Sequence, residues 1–313
     1  MTGEPREGGW WFGPAPPQRL AGARILIGGF AFGYVVARLP HLAQFSRFDP
    51  ESFRPVGPVG LLLSAPLPTS ATWALAVITA ALGAAFTLGW RYRLCGPAFA
   101  AALLWVTSYA SSWGMIFHTE NLMVLQVIAL SFGRAADAWS LDARRASERP
   151  VPPDARYGWP LRLAATVAVL AYFMAGVAKL RHSGLAWVTS DLLQNYVAFD
   201  AVRKKELGSF YSPLGAALTG LPAVWPALAA VSLATELLAP LALLGGRFTR
   251  VWVAAAIGFH LGVLALMMIL FAYPIFGFAF VPFFAVERPL GRVGRALRAR
   301  LGRTGDPALA TTP

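Results

Sequence analysis

The chain has 313 residues, 57% of them hydrophobic and 13% charged, with a formal net charge of +12. Long uncharged stretches exclude an ordinary soluble domain and read as a polytopic membrane protein. The basic residues sit between apolar runs, which fits anionic lipid headgroups and not nucleic acid. The single cysteine, Cys95, excludes an intramolecular disulfide, a CxxC redox pair and a cysteine-ligated iron–sulfur cluster.

Residues 1–18 read as a polar, Pro- and Gly-rich tail without the basic start, apolar core and cleavage site of a signal peptide, so the first span is expected to stay as an anchor. Spans are predicted at residues 20–39, 69–89, 94–113 and 115–132, followed by a charged loop at 133–159. Four more follow at 160–180, 222–245, 251–270 and, interrupted by proline, 272–286. The fold class expected is therefore all-α, a membrane bundle of about eight spans within residues 19–287. Two apolar pieces, 56–67 and 207–221, are too short and too rich in Pro and Gly to cross, and read as interfacial or re-entrant. In residues 288–313, Leu290, Val293, Leu297 and Leu301 recur at helical spacing among arginines, which predicts a basic amphipathic helix on the inner leaflet or a solvated basic tail.

Placing the N-terminus in the cytoplasm puts most arginines on the inner side, both termini with them, and Lys179 at the outer end of the fifth span. Lys179 closes the apolar run Tyr172-Phe173-Met174-Ala175-Gly176-Val177-Ala178. An ammonium there either snorkels to the headgroups, or pairs with an acid, loses its proton or lines a wet cavity. His118, Glu120 and Asn121 open the fourth span at a similar depth, forming with Lys179 a candidate outer cluster. Taken singly, His118 and Glu120 are ordinary helix-start residues. Glu236 and His260 fall near mid-membrane, and the economical expectation pairs them in one buried, structural hydrogen bond. Gly258 and Gly262 flank His260 in a small-xxx-small pattern, repeated at Gly29 and Gly33, that predicts close helix approach. No Walker loop, dinucleotide fingerprint, His-Glu-x-x-His or nucleophile elbow occurs.

The segment Tyr172 to Leu180 followed by Trp187, together with Trp113 and His118, Glu236 ahead of a proline, and His260, resembles the membrane domain of the vitamin K-dependent gamma-glutamyl carboxylase, the HTTM domain. The resemblance implies that Lys179 is the base that starts oxygenation of vitamin K hydroquinone or menaquinol, and that His118 is an active-site residue. Tyr172, Trp113, Glu120 and Asn121 would line the quinol site, Glu236 and His260 would support the core, and no metal is expected. In the family's chemistry the oxygenated quinol yields an epoxide and a strong base that removes a proton from a carbon acid, such as a peptide glutamate, for carbon dioxide to trap. The carboxylase's large lumenal domain is not expected here, and the single cysteine excludes its disulfide, so the chain reads as a bacterial-type member in the cell membrane. The competing expectation is a non-enzymatic lipid or small-molecule carrier, or an assembly partner, on the same fold.

Overall fold

The computed structural model describes residues 9–114, 118–145 and 151–303. In chain order its principal helices are α1 (Pro17–Ala37), α2 (Thr69–Leu88), α3 (Tyr92–Ala110), α4 (Asn121–Ser131), α5 (Ala155–Ser183), α6 (Leu192–Glu206), α7 (Trp225–Leu237), α8 (Gly246–Met267) and α9 (Glu287–Arg303). Among the described residues there is no β-strand, only one isolated bridge between Ala15 and Asp154. By length and composition, α1, α2, α5 and α8 can each cross a membrane.

The expected span at 94–113 is the unbroken 19-residue α3, whereas the other three are shorter or broken, for local reasons. Helix α4 has 11 residues, a rise of about 16 Å against a hydrocarbon core of about 30 Å, and residues 115–117 before it lie outside the described residues. After α7 the chain tightens into a 3-10 turn at Ala239–Leu244, where Pro240 has no N–H to continue the α-helical ladder. Residues 272–286 form a short helix, Ala272–Ile275, and a 3-10 segment, Phe278–Phe283. The two non-crossing pieces hold only the short helices Gly57–Gly60 and Pro213–Leu218, and they expose Leu61 and Phe210.

Helix α1 packs on α2, α2 on α3, and α5 lies against α4, α7 and the Ala239–Leu244 turn. The main core draws on α1 to α5, α8 and residues 273–281, while a smaller cluster of Trp187, Ala229 and Leu233 closes the far end of α5. Close approach falls at other glycines than the predicted ones. An added Cβ at Gly28 would run into the Phe86 ring, whereas Gly258, Gly262 and Gly33 have nothing within 4 Å and Gly29 only an ordinary contact. Two residues along a helix is a turn of about 200°, so Gly258 and Gly262 point away from the neighbours that bury His260.

Loop residues fix the end of the bundle where α3 and α5 begin. Arg24, fully buried, donates to the carbonyls of Ala135 (2.9 Å) and Trp139 (2.5 Å). Asp142 caps α3 by accepting from the backbone N–H groups of Arg91 (2.9 Å) and Tyr92 (2.8 Å). Arg19 holds Glu287 at 2.8 Å, and Leu290 sits against Gly22, so the start of α9 docks on α1. The side chains of Leu297 and Leu301 in the predicted apolar stripe, and residues 1–8 and 304–313 of the two tails, lie outside the described residues.

Candidate functional site

Helix α5 carries Tyr172, Gly176 and Lys179 at spacings of four and three, hence on one face. Opposite them comes the last turn of α7. A Cβ on Gly176 would lie 2.9 Å from Leu237 Cδ2 and 3.0 Å from Glu236 Cβ, so the bare glycine lets α7 press its Glu236 against α5. The Lys179 ammonium and Glu236 Oε1 form an ion pair in which the Glu236 side chain is only 4% exposed and Lys179 21%. Glu236 Oε2 is buried and has no hydrogen-bond partner among the described residues. Lys179 Nζ also lies 5.1 Å from the centre of the Trp187 ring, which is held by a weak bond from its Nε1 to Ser232 Oγ (3.4 Å).

One turn and more away on the same face, the Tyr172 hydroxyl and His260 Nε2 share a hydrogen bond of 2.6 Å. Nδ1 of His260 is buried without a partner among the described residues. Trp252 stands edge-on to Tyr172 at 5.1 Å and is anchored by donation from its Nε1 to the carbonyl of Thr235 (2.9 Å), one residue before Glu236. His260 also meets the Phe271 ring at 4.8 Å, and His118 meets the same ring at 5.6 Å.

The expected pairing of Glu236 with His260 is therefore corrected. Glu236 belongs to Lys179, and His260 belongs to Tyr172, because the α7–α5 contact at Gly176 turns Glu236 toward the lysine face. Of the residues expected beside Lys179, His118 reaches this group through Phe271, but Glu120, Asn121 and Trp113 go elsewhere. Glu120 accepts from the Thr119 hydroxyl and lies beside Tyr34, Arg38 and His41. Trp113 joins an aromatic group with Phe48, Phe53 and Tyr109. Asn121 opens α4 with an exposed side chain.

Two polar residues outside the predicted set lie deep in the same bundle. Gln126, fully buried, donates to the carbonyls of Ala164 (3.0 Å) and Ala279 (2.9 Å) and accepts from the Tyr273 hydroxyl, joining α4, α5 and the 3-10 segment. The signal for it was an amide in the middle of an uncharged, otherwise apolar run. Among the described residues no group of three or more His, Cys, Asp or Glu side chains is placed to hold a metal.

The family model of the HTTM domain matches residues 12–287, from just before α1 to the first residue of α9. The chain belongs to the HTTM domain family. No curated protein and no solved structure matches it. The HTTM match and the apolar helices together support a membrane protein with a gamma-carboxylase-like membrane domain, and they set Lys179, Glu236, Tyr172 and His260 inside that domain.

Proposed function

We propose that this HTTM protein binds a quinol-type lipid beside Lys179 and promotes its oxygenation with Lys179 as base, in the manner the family resemblance implies. The observation that carries the reading is the Lys179–Glu236 pair, a basic and an acidic group held together on a helix face next to an unsatisfied carboxylate oxygen and an unsatisfied imidazole nitrogen. The donor set fits a quinol, whose hydroxyls need one acceptor for a proton and further polar atoms for orientation. Bound there, a reduced quinol supplies an acidic hydroxyl and a ring that reacts with dioxygen.

The side chains divide the work. Lys179 acts as base when Glu236 holds the proton the two groups share, so the acid that neutralises the lysine also keeps a free amine available. Glu236 Oε2 and His260 Nδ1 are the polar atoms left over for a ligand. Tyr172 fixes the imidazole of His260, and Phe271 sets His118 on its far side. Trp187 shields the amine from bulk water, which matters for any strongly basic product. In the proposed topology the chain crosses a bacterial cell membrane about eight times, both termini are cytoplasmic, and the Lys179 end of α5 faces outward.

The test is oxygen-dependent conversion of reduced vitamin K or menaquinol to its epoxide and water by purified protein in nanodiscs. Epoxide from wild type and none from Lys179→Ala supports the reading. Bound quinol with no epoxide from either protein replaces it with the carrier alternative, in which the same ion pair only holds α5 to α7.

A further inference from the structure

We propose that a second site, at the opposite end of the bundle, binds the phosphate of an anionic phospholipid, with Arg91 and Arg93 as its principal cations and the acyl chains lying along Leu94 and Phe132. It occupies a cleft of about 820 Å³ between the start of α3 and the end of α4. Tyr157, at the beginning of α5, bonds to Asp137 on the cleft wall (2.8 Å). It precedes Lys179 by 22 residues on one continuous helix, a rise of about 33 Å. The cleft is therefore about a membrane's thickness from the Lys179–Glu236 pair and forms no part of that site.

Three arginines line the cleft, Arg91, Arg93 and Arg134, with two carboxylates, Asp137 and Asp142. Both acids are already engaged. Asp137 accepts from Arg134 Nε (2.9 Å) and from the Tyr157 hydroxyl, and Asp142 accepts from the backbone N–H groups that begin α3. Among the described residues neither Arg91 nor Arg93 has an ion-pair partner; the Arg91 guanidinium carbon lies over the Trp90 ring, 5.2 Å from its centre. A cation–π contact consumes no N–H hydrogen bond, so guanidinium donors remain for an anion. Arg91 also holds a left-handed backbone, φ 43° and ψ 45°, a conformation non-glycine residues seldom adopt, and Asp142 braces it there.

The apolar rim selects a lipid over a soluble anion. Leu94 and Phe132, on the same cleft, are 72% and 68% exposed. Apolar walls continuing from a cluster of arginines match a phosphodiester joined to acyl chains, whereas a free phosphate gains nothing from them. The zwitterionic lipids of the bulk membrane lack the net charge this cleft favours.

The experiment is native mass spectrometry of the full chain, released from phosphatidylcholine nanodiscs doped with phosphatidylglycerol. Wild type should retain phosphatidylglycerol in preference to phosphatidylcholine. Arg91→Gly with Arg93→Gln keeps the left-handed backbone comfortable and should weaken retention about 25-fold, about a factor of five per arginine. Arg247→Gln with Arg250→Gln removes the same charge from the exposed start of α8 and should change retention by less than about twofold. Should the first pair fail to fold, Arg93→Gln alone is expected to cost about fivefold. Equal losses from the two pairs would mean a diffuse surface field and overturn the site. Displacement of the lipid by millimolar inorganic phosphate would overturn the lipid assignment.

Discussion

Helix α5 takes part in two buried polar clusters that differ in how completely they are satisfied. Around Ala164, the amide of Gln126 spends both kinds of hydrogen-bonding capacity on fixed partners, two carbonyls and the Tyr273 hydroxyl. Two turns and more along, the cluster of Tyr172, Lys179, Glu236 and His260 keeps a carboxylate oxygen and an imidazole nitrogen without partners among the described residues. A closed network does only one thing, which is to fix the relative positions of the elements it joins. An incompletely closed one, containing a base, an acid and an imidazole, has capacity left for a ligand.

That contrast breaks most visibly at Lys179. Replacement by alanine should lower epoxide formation by at least about 100-fold, the usual weight of a general base, while quinol binding and helicity persist. The corresponding change in the closed cluster, Gln126→Ala, should do the reverse. It strands two carbonyls and a phenol in the core, so unfolding in detergent should become easier by about 2 to 4 kcal/mol with turnover per folded molecule unchanged. Glu236→Gln keeps the shape and removes the proton store, which should reduce turnover about tenfold without comparable destabilisation.

The smallest expected effect concerns Arg19 and Glu287, away from both clusters. Burial pushes the Glu287 carboxyl up, but the paired hydrogen bonds from Arg19 outweigh it and hold the group below the ordinary carboxylate range. A depressed acid stabilises the fold above its unfolded value and stops doing so as pH falls through the folded one. Thermal unfolding should therefore separate wild type from Glu287→Gln by less than about 1 kcal/mol near neutral pH, and the gap should close on acidification through and below the ordinary carboxylate range.

The sequence made the helical membrane class and the HTTM family legible, because uncharged runs and the Tyr172 to Leu180 segment are local patterns. It also singled out Lys179, Glu236 and His260, since ionisable residues stand out in an apolar run. Their partners were not legible. Glu236 and His260 share a nominal depth, yet which of them meets Lys179 depends on a glycine, Gly176, that admits α7 to one face of α5. Depth along the chain likewise groups Glu120 with Lys179, and the family resemblance adds Trp113, although the structure sets Glu120 beside Tyr34 and Trp113 in the Phe48 aromatic group. The Gln126–Tyr273 link joins residues far apart in sequence and leaves no periodic trace.

The proposed seat of a quinol at Lys179 is read most directly by amine-reactive footprinting in nanodiscs. The chain's other lysines are internal references: Lys204 is tied to Asp200 and to the carbonyl of Met267, and Lys205 is exposed. Reduced menaquinol should protect Lys179 from labelling while leaving Lys204 and Lys205 unchanged. Labelling of Lys179 at the same rate with and without the quinol would contradict the claim.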